Sequence, residues 1–335
     1  MVKEEYFKIL SPDYPEWLDE YIATPRMQKQ AHISVTCGTC YSELFAGSTF
    51  YSSLDHSIAV ALIVWHFTHD RKQTLAGLFH DIATPAFKHC VDFMNGDYMT
   101  QESTEELTTK FIEESPEIMK LLRRDRIAVA EVDNYHLYPI ADNDTPQLSA
   151  DRLEYSLSNA LFTYPCLTLE QVADIYNDIE VQQNSDGVAE LGFRSKEYAR
   201  EFVKFTSKLS VIYREDRTRY SMQFVADILR KLSDEGKITV ADLYEMPEAQ
   251  VIDLVEASKY GEIFKKWRNS TKVTESKELP KHAYYVNHPA KIRYVDPLFQ
   301  NERISKQCKI AAKAIEKNLA YDMNYCVFID EIPQF

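Results

Sequence analysis

The sequence predicts a mainly α-helical fold. Glycine is scarce, at 8 of 335 residues, which disfavours a turn-rich β architecture. Apolar residues make up 45% of the chain, enough to build a large core. Apolar positions recur with helical spacing along most of residues 14–259. One large helical domain is expected over 1–265, carrying a small β-hairpin insertion, followed by a small α+β lobe over 266–335.

The elements follow in order. Residues 14–33 read as helical, with a break at Thr24-Pro25, because proline suits the first turn of a new helix. Residues 57–69 read as a buried helix capped by Ser57 or Asp55. A second helix over 72–81 stops before Pro85, and helical patterns continue over 105–124 and 146–161. Two β-like runs within 179–193 flank Asn184-Ser185-Asp186-Gly187, the chemistry of a hairpin turn. Helices resume over 196–232 and 240–259. The polar stretch 269–281 reads as a linker or exposed loop. Beyond it come β-like patches at 283–286 and 292–295, a helix near 303–318 and a last strand at 325–329. The basic residues of this tail read first as a solvated face, with phosphate binding as the alternative.

The net charge of −14 works against binding nucleic acid or an anionic membrane. The N-terminus, Met-Val-Lys-Glu-Glu, does not read as a secretion signal, and the most apolar run, 58–65, is far too short to span a bilayer. A cytoplasmic location is expected. The six cysteines are scattered, and free thiols are expected. Cys37 and Cys40 form a C-x-x-C without the second pair that a structural zinc site needs.

The chemistry concentrates around two histidines. His80 is followed directly by Asp81 at the end of an apolar helix, and His56 opens the preceding apolar helix. An imidazole and a carboxylate buried together need a compensating cation or hydrogen-bond donor, and a metal ion is one answer. The 24 residues between His56 and His80 suit two consecutive antiparallel helices. Asp151 opens a later helix and offers a distant carboxylate.

The order His56, then His80-Asp81, then Asp151 resembles the HD-domain superfamily of metal-dependent phosphohydrolases. Leu54-Asp55-His56-Ser57, the run from His80 to His89 (HDIATPAFKH) and Ala150-Asp151-Arg152-Leu153-Glu154-Tyr155 are similar to its deoxynucleoside triphosphate triphosphohydrolase branch. Ile22-Ala23-Thr24-Pro25, Val211-Ile212-Tyr213-Arg214 and Arg293-Tyr294-Val295-Asp296-Pro297-Leu298 agree in the same order.

The resemblance implies an HD-domain helical bundle and one divalent metal ion (Zn, Mn, Fe, Ni, Co or Mg) held by His56, His80, Asp81 and Asp151. It implies His89 and Glu102 as catalytic groups, with Lys29, Arg152, Tyr155, Asn159 and Tyr213 as substrate contacts. Asp151, Tyr155 and Asn159 also share one helix face by spacing. His136 reads as a surface-loop residue.

The expected function is hydrolysis of a phosphorylated small molecule, a nucleotide first among candidates, by a homo-oligomer. The chain departs from the branch where Thr84, Gln101, Ser53, Lys29 and Asn159 stand at positions usually held by histidines, arginines or an aspartate. Those departures keep open a catalytically altered nucleotide-binding or regulatory protein. An HD-type oxygenase, which needs two irons, is the third reading.

Overall fold

The computed structural model describes residues 2–99 and 107–335. The described residues are mainly helical, with two small sheets. None of their helices is long and apolar enough to cross a membrane.

The central helix is Ser53–Thr68, in which every residue from Ser53 to Val64 is buried. Its start lies earlier than the sequence suggests. Ser52 is the cap, and its side chain accepts from the Asp55 amide while Asp55 accepts from the Ser52 amide. Asp55 is therefore the third helical residue of a reciprocal capping box. His69 turns the chain in a left-handed conformation (φ 50°), Asp70 caps the next helix, and Arg71–Phe79 runs back along the first.

The expected helix 105–124 is split within its described part, because Pro116 starts a new helix after Ser115. The stretch 146–161 forms helix only from Ala150, and its last turn widens into a π-helix over Asn159–Thr163. The late helical region divides into Lys196–Ile212, Asp216–Asp234, Val240–Glu245, Glu248–Ala257 and Gly261–Asn269.

The predicted hairpin pairs Ile179–Gln183 with Ala189–Phe193 antiparallel. Gly192 and Phe193 then pair in parallel with Leu298 and Phe299, which tie the C-terminal segment to the hairpin. The second sheet places Cys326–Pro333 between Thr274–Ser276 and Ala283–Val286. Thr274–Ser276 thus corrects the reading of 269–281 as a loop. Residues 292–295, expected as β-like, form no strand. The Arg293 carbonyl instead accepts from the Ser210 hydroxyl and the Asn318 amide.

Two apolar clusters make up the core. One surrounds Ser53–Thr68, and the other surrounds Asp216–Asp234 and the second sheet. Residues on both sides of position 265 contribute to each cluster. The clusters meet at a cavity of about 550 Å³. Cys37 and Met222 reach it from the second cluster, and Tyr213 from the edge of the first.

Candidate metal centre

The antiparallel helix pair brings the start of one helix against the end of the next. His56 Nε2 lies 3.1 Å from His80 Nε2 and 3.1 Å from Asp151 Oδ1. The helix Ala150–Ser158, capped by Ser149, carries Asp151 into the same space. The donor atoms of His56, His80 and Asp151 all lie within 4.8 Å of one another. Asp81 stands beside this group, with Oδ1 3.8 Å from His80 Nε2 and Oδ2 2.6 Å from Lys88 Nζ.

The outer ring nitrogens explain why these donors point inward. His80 Nδ1 donates to the Gly77 carbonyl at 2.7 Å. His56 Nδ1 is bound to the Glu154 carboxylate. Glu154 is fully buried and also accepts from Tyr51 at 2.8 Å and Tyr6 at 3.3 Å. Such outer partners fix the tautomer and aim of metal-binding histidines.

With both Nδ1 atoms committed, the two Nε2 atoms and a carboxylate oxygen converge, an arrangement suited to holding a metal ion. Burial disfavours a charged His56, but the Glu154 and Asp151 carboxylates outweigh it and push its pKa up to about 10. Burial likewise works against an ionised Asp81, yet Lys88 and the two imidazoles hold its carboxyl well below the usual range. The negative field that favours a proton here also suits a divalent ion, and imidazole with carboxylate is a suitable donor set.

The remaining predicted residues divide into several groups. Tyr155 and Asn159 line the cavity together with Asp151, as helical spacing requires, and Tyr213 joins them from the end of Lys196–Ile212. Tyr155 and Tyr164 flank Tyr213 at ring-centre distances of 6.3 and 6.1 Å. His89 also lines the cavity, and its Nδ1 is bound to the buried Asp92 at 2.8 Å, which leaves Nε2 for the cavity. Arg152 reaches the wall, but its guanidinium is bonded to Asn143, Ser149 and Asp142 and braces the 142–149 loop. Lys29 is not among the lining residues, and its ammonium donates to the Thr84 carbonyl at 2.9 Å. Glu102 lies outside the described residues.

Other lining residues were assigned no site role from sequence. Lys88, Lys291 and Arg293 add positive charge to the wall, the last two from the tail read as a solvated face. His136 belongs to the wall as well, bonded to Asp142 at 2.8 Å, with Tyr135 against the His80 ring at 5.0 Å. Glu154 was detectable, since it follows Asp151 by one helical turn on the same face.

No protein-family profile matches the chain. Among curated proteins, the uncharacterized protein YdhJ of Bacillus subtilis is 22% identical over 213 residues, 62% of this chain. The match likewise spans only 62% of that relative's length. Among solved structures, a hypothetical protein from Aquifex aeolicus aligns over 95% of this chain and 93% of its own, with a TM-score of 0.63 and 14% identity. A phosphohydrolase from Bacteroides thetaiotaomicron aligns over 94% of this chain and 96% of its own, with a TM-score of 0.62 and 11% identity. These likenesses establish a fold shared along nearly the whole chain.

Proposed function

We propose that this protein is a metal-dependent phosphohydrolase of the HD-domain kind, acting on a phosphorylated small molecule, with a nucleotide as the preferred class. One observation carries the reading. The inward-facing donors of His56, His80 and Asp151, each imidazole braced from behind, sit on a cavity that also presents Lys88, Lys291 and Arg293. The fold shared with a protein named as a phosphohydrolase supports it.

His56, His80 and Asp151, with Asp81 beside them, would hold a divalent ion, which would supply Lewis acidity and a more acidic water. The basic wall holds the phosphate charge. Burial lowers the pKa of His89, so the ring is neutral near pH 7. Its Nε2 takes a proton during attack and returns it to the leaving oxygen. Tyr155, Tyr164 and Tyr213 form an aromatic wall suited to a base or sugar.

A second reading has its own observation. Arg152, matched by resemblance to a phosphate contact, is spent on the 142–149 loop. That weakens the grip on a triphosphate and, with Thr84 and Gln101 at positions where the family usually has histidines, favours a protein that binds a nucleotide without turning it over. Metal analysis combined with phosphate and tripolyphosphate assays on a nucleotide panel separates the two. The hydrolase reading expects one metal per chain and product release that Asp81→Ala abolishes. Metal and nucleotide binding without any product leaves the second reading. Two irons per chain would instead support an oxygenase.

A further inference from the structure

Lys88 occupies an unusual backbone position. It and Phe87 are consecutive non-glycine residues with positive φ, 41° and 64°, a region sparsely populated by such side chains. The surroundings hold the turn in place. The Phe87 amide donates to Glu248 Oε1 at 3.1 Å, and the other Glu248 oxygen accepts from Tyr41 at 2.8 Å. The Phe87 ring lies on Gly38 so closely that a Cβ there would stand 2.2 Å from a ring carbon. This clamp fixes the point from which the Lys88 side chain reaches Asp81, at 2.6 Å.

The charges give this placement a purpose. Asp81, Asp151 and Glu154 are three carboxylates around one prospective divalent ion. On their own they leave the centre net negative, which repels a phosphate. The Lys88 ammonium removes that excess. An ammonium has three donors, and Lys88 is also a lining residue of the cavity, next to His89. Its remaining donors suit the oxygens of a phosphoryl group.

We propose that Lys88 is a phosphate-binding residue, carried on Asp81, that grips a phosphoryl oxygen of the substrate beside the metal centre. Asp81 then serves as the strut between lysine and metal site rather than as a plain fourth ligand. This assignment rests on the phosphohydrolase reading above and identifies the group that recognises the phosphate.

The test uses the full chain with Lys88→Met, Lys88→Gln and Lys88→Arg. Inorganic phosphate and tripolyphosphate are titrated calorimetrically into metal-free and manganese-loaded protein, and bound metal is measured by elemental analysis. Lys88→Met and Lys88→Gln are expected to weaken phosphate binding about 10- to 100-fold, the loss of one charge-assisted contact. Bound metal stays at the wild-type level, and Lys88→Arg recovers part of the affinity. Phosphate affinity within twofold of wild type in a folded Lys88→Gln protein overturns the proposal, as does lost metal with phosphate binding intact. If the wild-type protein binds no divalent ion, the hydrolase reading falls. The comparison of metal-free wild type with the variants still decides whether Lys88 holds phosphate.

Discussion

Glu154 sits behind the cavity, yet it decides how His56 is aimed. Its carboxylate is fully buried and holds the His56 ring by the nitrogen facing away from the candidate metal site. Glu154→Gln preserves the shape and removes the charge. The expected outcome is a 10- to 100-fold weaker metal affinity, on the order seen when such outer partners are lost, measured by competition with a chromophoric chelator. Unchanged affinity would mean that His56 is oriented by packing alone. The sequence made His56, His80 and Asp151 legible because each stands at a helix end where a buried polar group needs a reason. It made the basic residues less legible. Arg152 and Lys88 both lie next to predicted site residues, but only the course of the loops decides their destinations. Arg152 turns toward the 142–149 loop, and Lys88 reaches Asp81.

At the level of elements, the segment Cys37-Gly38-Thr39-Cys40 acts as a floor for the turn that carries Lys88. All the cysteines are free thiols, and the residue that matters most for packing here is the glycine. Gly38 has φ 77°, and an added Cβ would meet the Phe87 ring at 2.2 Å. Gly187, in the hairpin turn, has a similar φ of 73° and nothing within 4 Å. Gly187→Ala should cost about 1 kcal/mol, the backbone penalty alone. Gly38→Ala should cost about 2–4 kcal/mol, since overpacking is added to it. Urea unfolding of the two variants checks this, and equal costs would remove the packing argument. The hairpin itself was readable from its turn residues. The strand Thr274–Ser276 was not, because its polar sequence fits an edge as well as a loop, and its partner lies some 50 residues away at Cys326–Val327–Phe328. The segment 292–295 misled for the opposite reason, since Ile292 and Arg293 line the cavity and Val295 enters the core instead of pairing.

Across the whole molecule, Glu248 joins parts of the chain that are far apart. From the start of Glu248–Ala257 it accepts hydrogen bonds from Tyr41 and from the Phe87 amide. Burial pushes its carboxyl up to about 7, against the opposing effect of these donors and of Lys29. Nearby, burial and Arg26 lower the Lys29 ammonium to about 7. The signs of the two contributions differ. Glu248 favours the folded state most below its ordinary pKa of 4.5, and this contribution is lost as pH rises through about 7. Lys29 contributes most above its ordinary 10.5, and this is lost as pH falls through about 7. Glu248→Gln removes the first effect and, by taking away a charge that raises Lys29, lowers that ammonium somewhat further. Measured by urea unfolding of chelator-treated protein, the variant should gain on wild type by about 1–3 kcal/mol between pH 4.5 and pH 7.5. A stability difference that stays flat across that window would show that Glu248 keeps its charge in the fold. The clamp on Phe87 and Lys88 would then be equally strong at either end of the range. A sloping difference means that the Glu248 clamp on Phe87 and Lys88 contributes differently at the two ends of the range.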